Sequence, residues 1–248
     1  MPRYKLTLEY DGTGLVGWQR QKTGLSVQAI LEDAVERLCG ARITVHGAGR
    51  TDAGVHALAQ AAHLDLPKPY PARTIRDALN QHVKPHRVAV LAAEEVLPSF
   101  DARRSARGRV YRYRILNRRP PPTVDAFRVW HVGRALDAGA MQAAANLLLG
   151  RHDFSTFRDS LCQARSPVKT LDALDVTRQA EEIVVEARAR SFLHHQVRNM
   201  VGTLKLVGDG SWEPDDVATA LAARARSKGG PTAPAEGLYL VEVVYPAP

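Results

Sequence analysis

Cysteine and long apolar segments are scarce in this chain. Only two of its 248 residues, Cys39 and Cys162, are cysteines, which are too few for a disulfide framework and lack the paired spacing of a zinc site. No segment approaches the roughly 20 apolar residues that a membrane-spanning helix needs. Residues 1–8 are typical of a β-strand and not of a signal peptide. We therefore expect a cytoplasmic enzyme or binding protein with no membrane span.

The charge balance favours basic residues. Lysine and arginine total 34 and aspartate and glutamate total 26, a difference of +8. Such an excess favours a polyanionic partner, because cationic side chains that neutralise phosphates release condensed counterions. On charge alone, the alternative that the arginine content reflects only codon usage stays open. Arginine is the better bidentate phosphate ligand, and it recurs in one tract, which consists of Arg103, Arg104, Arg107, Arg109, Arg112, Arg114, Arg118 and Arg119.

Periodicity predicts strands and helices in both halves of the chain. Ser26 is the expected N-cap of the first helix, because it directly precedes a run of apolar residues at helical spacing. The elements predicted in the first half are strands at 3–10, 42–47, 58–66 and 87–95 and helices at 26–38 and 71–81. Those predicted in the second half are strands at 107–117, 171–178, 182–190 and 237–244 and helices at 137–149, 193–207 and 214–225.

This order of elements indicates an α+β fold. Two βαββαβ halves of the ferredoxin or RRM type, with a mixed but mainly antiparallel sheet, fit it best. The segment 97–102 is the candidate joint between them. We therefore predict an N-terminal half at 1–102, which contains a glycine-rich loop, and a C-terminal half at 103–248, which contains a tyrosine-rich strand and the closing strand.

The glycine-rich loop at 47–57 is the most informative segment. Asp52 stands in it between two predicted strands, with Gly49 and Gly54 on either side. Glycines permit strained turns and the close approach of a ligand, and Arg50 could favour the ionised form of Asp52 by pairing with it. An oriented, ionised carboxylate suits nucleophilic or general-base chemistry at a sugar carbon. The alternative is a tight turn in which Asp52 only caps a backbone N–H.

Three other functions of this loop are disfavoured. No Gly-Lys-Ser/Thr follows it, as a Walker loop requires, and its glycines precede a strand, whereas those of a dinucleotide fingerprint precede a helix. His46, His56 and His63 lie nearby, but no carboxylate or thiol joins them at a familiar ligand spacing. The sequence therefore predicts neither a metal nor a nucleotide cofactor here.

The loop Gly49–Ala57 resembles the signature of the TruA family of tRNA pseudouridine synthases. Further segments are similar to that family in the same order, and together they cover nearly the full length of the chain. They are Glu9–Thr13, Gly17–Gln21, Phe100–Arg103, Tyr111–Ile115, Phe154–Arg158, Phe192–Gly202 and Glu236–Leu240.

The resemblance implies an isomerase that converts uridine to pseudouridine at positions 38, 39 and 40 of the tRNA anticodon stem-loop. It also implies a pseudouridine synthase fold with a central RNA-binding cleft, a homodimer that binds tRNA, and no cofactor or metal. By the same resemblance, Asp52 is the catalytic carboxylate. The residues that the resemblance assigns to substrate binding are Arg50, Tyr111, Arg198 and Leu238.

The resemblance gives each of these side chains a role. Arg50 is expected to order Asp52, Tyr111 to stack on the target base, Arg198 to pair with Asp52, and Leu238 to lie beneath the base. From the residues alone, structural alternatives stay open. Tyr111 could be a core aromatic on an alternating strand, Arg198 a solvated side chain on a helix, and Leu238 a core residue of a strand.

Two rival functions also stay open. One is a non-catalytic RNA-binding protein on the same fold, which would need the basic surface but not Asp52. The other is a hydrolase that uses an Asp base on a nucleoside or glycoside, although such enzymes commonly need a second carboxylate as the acid. For His194 and His195, beside Arg198, packing or contact with phosphate is a better expectation than catalysis.

Overall fold

The computed structural model of the protein describes residues 1–246. The chain forms two compact units. The first unit contains residues 1–107 and the segment from Tyr239 onward, and the second contains residues 108–238. Among the described residues, no helix combines the length and the apolar character needed to span a membrane.

The elements are five helices, ten strands and three short 3₁₀ turns in the described part of the chain. In order they are β1 (Arg3–Tyr10), α1 (Val27–Cys39), β2 (His46–Gly47), β3 (His56–Asp65), α2 (Ala72–His82), β4 (Val88–Val96), β5 (Gly108–Leu116), β6 (Trp130–His131), α3 (Ala138–Asn146), β7 (Gly150–Asp153), a 3₁₀ turn (Ser155–Phe157), β8 (Val168–Gln179), β9 (Glu182–Ala189), α4 (Gln196–Gly208), α5 (Pro214–Ala223), two 3₁₀ turns (Arg226–Lys228 and Ala235–Gly237) and β10 (Leu238–Val244).

The first unit has the βαββαβ order in β1, α1, β2, β3, α2 and β4. Its antiparallel sheet runs β4-β1-β3, β2 pairs with β3 in antiparallel fashion, and β10 joins β3 in parallel. Strand β1 buries alternate side chains, as its sequence predicts: Tyr4, Leu6, Leu8 and Tyr10. Ser26 caps α1 as predicted, because its hydroxyl accepts a hydrogen bond from the Ala29 N–H at 3.2 Å.

The closing strand β10 belongs to the first unit except for its first residue, Leu238, whereas the predicted halves placed it in the second. Two hydrogen bonds hold the end of the chain there. The Arg107 N–H donates to the Val244 carbonyl at 2.8 Å, and the Tyr245 hydroxyl donates to the Ala102 carbonyl at 2.6 Å.

The second unit has an antiparallel sheet in the order β5-β9-β8-β7, with β6 pairing with β5 in parallel. Its elements β5, α3, β8, β9 and α4 follow the first five elements of the first unit's order, βαββα, and β6, β7 and α5 are additions. The strand that would complete a second βαββαβ half is β10, which lies almost wholly in the first unit. Tyr113 and Ile115 on β5 are fully buried, which makes their face of the strand part of the core. The fold is thus α+β, and its strand pairs are mostly antiparallel, as predicted.

Strand β2 is shorter than the six residues predicted at 42–47. Val45 is fully buried, but its backbone does not continue the ladder. Its N–H donates to Glu32 Oε1 at 3.3 Å, and its carbonyl accepts from Gln28 Nε2 at 3.2 Å. Side chains of helix α1 therefore satisfy the backbone groups that a longer strand would have used.

Candidate active site

Asp52 lies in the loop between β2 and β3 of the first unit. Its side chain is half-buried, Thr51 before it is buried, and Arg50 is exposed. The Val55 N–H donates to the Asp52 carbonyl at 3.2 Å, which closes a tight turn, and Gly54 within that turn has a φ of +78°. A glycine is favoured there because this left-handed backbone strains other residues.

A second loop, residues 11–18, supports the backbone of this turn. The Trp18 N–H donates to the Thr51 carbonyl at 3.0 Å, and the Gly54 N–H donates to the Leu15 carbonyl at 3.3 Å. Gly17 has a φ of +100°, and a Cβ on it would lie 2.5 Å from the Thr51 carbonyl oxygen. Any larger residue at position 17 would therefore push the Asp52 turn out of place.

Buried side chains hold the same loop from the sheet. The Tyr10 hydroxyl is 2.8 Å from Thr51 Oγ1, and Gln60 Nε2 donates to the Gly49 carbonyl at 2.9 Å. Burial raises the pKa of Tyr10 to about 12, so its hydroxyl keeps its proton at neutral pH. The loop that carries Asp52 is therefore fixed on both sides of Arg50.

The three histidines near this loop have identifiable contacts. His56 Nδ1 accepts a hydrogen bond from the Gly12 N–H at 3.1 Å, and the His56 ring stacks on Tyr239. His63 Nδ1 accepts from the Ala102 N–H at 3.1 Å, and its ring stacks on His46. Through these contacts the histidines bind backbone N–H groups and connect neighbouring strands of the first unit.

Tyr111 lies on β5 of the second unit, opposite Ala187 of β9. It is half-buried, and its ring meets Phe192 edge-on, with 5.3 Å between the centroids and an interplanar angle of 90°. Its neighbour on the same face, Tyr113, is fully buried and donates its hydroxyl to the Pro234 carbonyl at 2.7 Å. Tyr111 is thus partly accessible, and Tyr113 is a core residue.

Arg198 and Leu238 are connected through the segment 233–238 of the same unit. Arg198, in the first turn of α4, donates from Nε to the Ala233 carbonyl at 2.7 Å, and its own carbonyl accepts from the Ala233 N–H at 3.1 Å. Gly237 lies against the Tyr113 ring, since a Cβ on it would meet that ring at 2.6 Å. Leu238 is buried at the start of β10. The second unit therefore links Arg198, the Tyr113 strand and Leu238, and the first unit holds Arg50 and Asp52.

Residues 7–103 and 144–246 match the model of the tRNA pseudouridine synthases. The chain belongs to this family. The matched ranges include Arg50, Asp52, Arg198 and Leu238, and Tyr111 lies in the stretch between them.

Relatives of similar length carry the name tRNA pseudouridine synthase A. The chain is 67% identical to that of Paramagnetospirillum magneticum, over 100% of this chain and 96% of the relative. It is 62% identical to that of Rhodospirillum centenum, over 99% of this chain and 100% of the relative. It is 60% identical to that of Rhodospirillum rubrum, over 99% of this chain and 88% of the relative.

His195, three residues before Arg198 in the sequence, forms a histidine–carboxylate pair with Asp159. His195 Nδ1 lies 2.8 Å from Asp159 Oδ2, and the His195 backbone has a φ of +61°, a conformation that non-glycine residues seldom adopt. Burial opposes ionisation of Asp159, but the Leu161 N–H and the neighbouring imidazoles outweigh it and lower the pKa of that carboxyl group. Sequence reasoning missed this pair, because 36 residues separate its members.

The arginine tract of this family member falls into two groups. Four of its arginines are bound by the protein itself: Arg112 to Glu186 at 2.7 Å, Arg114 to Glu182 at 2.7 Å, Arg118 to Glu181 at 2.9 Å, and Arg109 to the Arg190 carbonyl at 2.6 Å. Of the others, Arg104, Arg107 and Arg119 are exposed. The second group is therefore the better source of contacts with a polyanion.

Proposed function

We propose that the protein isomerises uridine to pseudouridine at positions 38, 39 and 40 in the anticodon stem-loop of tRNA, with Asp52 as its catalytic carboxylate. This proposal rests on the Gly49–Ala57 loop in a chain of the tRNA pseudouridine synthase family. The loop presents a half-buried Asp52, and Tyr10 and Gln60 hold its backbone in place through hydrogen bonds to Thr51 and Gly49. The reaction is an isomerisation, and it requires no cofactor or metal.

The chemistry explains why a single carboxylate is central. The C1′–N1 bond breaks, the uracil turns within its site, C5 forms the new bond to C1′, the C5 proton leaves, and N1 ends as N–H. Carbon C5 of uracil is itself a latent nucleophile, so no external group has to be transferred. Attack at C1′, addition to the base and removal of a sugar proton all require an ionised carboxylate, and the proposal places Asp52 in that role.

The other site residues would hold the nucleotide. Extrusion of a base from its stack costs a few kcal/mol, which contacts in the pocket must offset. We assign base stacking to Tyr111, because its ring is partly accessible and held edge-on by Phe192; such stacking contributes roughly 1–3 kcal/mol per base. Arg50 and Arg198 would order the carboxylate and nucleotide, and Leu238 would form the apolar floor.

The proposal extends to the partners of the protein. A net charge of +8 suits a tRNA ligand, and the exposed arginines of the tract, among them Arg104 and Arg107, are the proposed phosphate contacts. We propose a homodimer that binds tRNA across both subunits and in a central cleft of each, and a cytoplasmic location. The homodimer and the cleft follow from the family resemblance.

Tritium release from tRNA labelled at uridine C5 tests the activity, with wild type compared with Asp52→Asn. We expect release by the wild type with the RNA chain intact, and a loss on the order of 10³-fold or more in the variant. Asp52→Asn should still bind tRNA, because the substitution is nearly isosteric.

The two rival functions predict different outcomes. An RNA-binding protein without activity would release no tritium from any tRNA and would bind equally well in both forms. A hydrolase would produce free uracil and abasic RNA. Either outcome contradicts the proposed isomerase.

A further inference from the structure

Two buried side chains of the first unit, Tyr10 and Gln60, contact the Asp52 loop directly. We propose that they are positioning residues, which set the backbone of the loop so that Asp52 stands at the reacting atoms. This inference rests on the proposed function. It concerns residues that contact neither substrate nor Asp52 side chain in the proposal, so their effect would pass through Gly49 and Thr51.

The contacts bracket the functional part of the loop. Tyr10, at the end of β1, meets Thr51 Oγ1 at 2.8 Å, one residue before Asp52. Gln60, in the middle of β3, donates to the Gly49 carbonyl at 2.9 Å, one residue before Arg50. Gln60 Nε2 also lies 3.5 Å from the Tyr10 hydroxyl, which links the two supports. Since β1 and β3 pair with each other in the sheet, both supports of the loop come from hydrogen-bonded strands.

An unsatisfied polar atom argues that Gln60 is not present for stability. Gln60 is fully buried, and its Oε1 has no hydrogen-bond partner among the described residues. A buried acceptor without a partner is destabilising, and an apolar residue of similar volume would avoid that cost. The amide cannot rotate to remove the problem, because Oε1 would then face the Gly49 carbonyl. The contact of Nε2 with the loop gives the glutamine a reason to be there.

The chain offers a matched control for Tyr10 on the same strand. Tyr4, also on β1 and fully buried, uses its hydroxyl to bind the backbone of Tyr70 through both N–H and carbonyl, at 3.0 and 2.9 Å. Residue 70 precedes α2 and lies outside the Asp52 loop. Loss of the Tyr10 hydroxyl removes a buried hydrogen bond to the loop, whereas loss of the Tyr4 hydroxyl removes two part-buried hydrogen bonds that do not reach it.

Steady-state tritium release and thermal unfolding of Tyr10→Phe, Gln60→Met and Tyr4→Phe test the inference. We expect Tyr10→Phe and Gln60→Met to lower kcat by about tenfold or more, because small misplacements of catalytic groups cost rate steeply. KM for tRNA should stay within about twofold, since binding contacts are unchanged. Tyr4→Phe should lower Tm and leave kcat at the wild-type value.

Gln60→Met separates a positioning role from a purely structural one. The substitution removes the unsatisfied acceptor but leaves the Gly49 carbonyl without its donor, so we expect its Tm to fall no further than that of Tyr4→Phe while kcat falls. A conservative pair adds a rescue test. Thr51→Ser keeps the hydroxyl that meets Tyr10 and should retain most of kcat, whereas Thr51→Val should lose as much as Tyr10→Phe.

The outcomes separate this inference from the proposed function. If the wild type is active and Tyr10→Phe and Gln60→Met keep its kcat, the inference is wrong and the isomerase stands. It is also wrong if kcat falls only in proportion to the unfolded fraction, or falls equally in Tyr4→Phe. Absence of release by the wild type contradicts the proposed function itself.

Discussion

His63 shows how a single buried side chain sets a pH dependence. It is 5% exposed, and its Nδ1 accepts a backbone hydrogen bond from Ala102, which requires that nitrogen to carry no proton. Burial lowers the pKa of His63 from its ordinary value of 6.5, and the nearby charges of His46 and Arg3 lower it further. Asp101 and Asp65 oppose this effect but do not outweigh it. The folded state therefore favours the neutral ring.

We expect the free energy of unfolding to fall as pH drops below about 6.5, the pKa of histidine in an unfolded chain. Above that pH, His63 is neutral in both states and the stability is fully present. Below it, the unfolded state binds the proton more readily, so stability is lost until the lowered folded-state pKa is passed. Urea unfolding at about pH 7.5 and about pH 5.5 measures the difference.

Two variants isolate the contribution of His63. His63→Asn keeps an acceptor near the Ala102 N–H without a titrating ring and should reduce the loss of stability between the two pH values. His86→Gln removes an exposed histidine of the same unit and should leave that loss unchanged. An unchanged loss in His63→Asn would contradict the account.

Helix α1 begins where its sequence predicts because of one hydroxyl group. Ser26 is fully buried, and its Oγ satisfies the Ala29 N–H, one of the amide groups that a helix start leaves without a partner. We expect Ser26→Ala to lower the free energy of unfolding by about 1 kcal/mol and Ser26→Gly by only a few tenths. Urea unfolding measures both. A larger loss in Ser26→Gly than in Ser26→Ala would show that the cap is not the cause.

Other elements could be predicted only where a repeating pattern was long enough. Strand β1 and helix α2 fall within one residue of prediction, because each has a clear alternation or helical period. Strands β6 and β7 have two and four residues, which is too short for a period, and the sequence did not reveal them. Helix α4 begins at Gln196, later than predicted, because His195 before it has a left-handed backbone.

The candidate site shows the same limit at longer range. Its glycine-rich loop could be found from nearby residues, since Gly54 follows Asp52 by only two positions in the sequence. The supports of that loop could not, because Tyr10 is 41 residues from Thr51 and 50 from Gln60. One signal was present: Gln60 is a polar residue inside the apolar run at 57–62, and a polar residue at a buried strand position requires a partner.

Binding of tRNA by the protein should depend on salt through exposed arginines such as Arg104 and Arg107 and not through Arg112. We expect Arg104→Gln and Arg107→Gln each to reduce the slope of log K against log salt by about 0.7–0.9, the value of one phosphate contact. Arg112→Gln is the matched control. It changes the net charge equally, but its guanidinium is already paired with Glu186.

Filter binding with one tRNA at several salt concentrations measures these slopes. The Arg112→Gln slope should equal that of the wild type. Equal reductions in all three variants would show that net charge alone acts, and no reduction in Arg104→Gln and Arg107→Gln would place the phosphate contacts elsewhere.

Carbodiimide labelling with primer extension, on transcripts that carry uridine at position 38, 39 or 40 of the anticodon stem-loop, tests the proposed conversion of uridine to pseudouridine through Asp52. We predict a new pseudouridine stop at each of these positions after incubation with the wild type, and none with Asp52→Asn. Stops that persist with Asp52→Asn, or that occur with the wild type only outside these positions, would contradict the account.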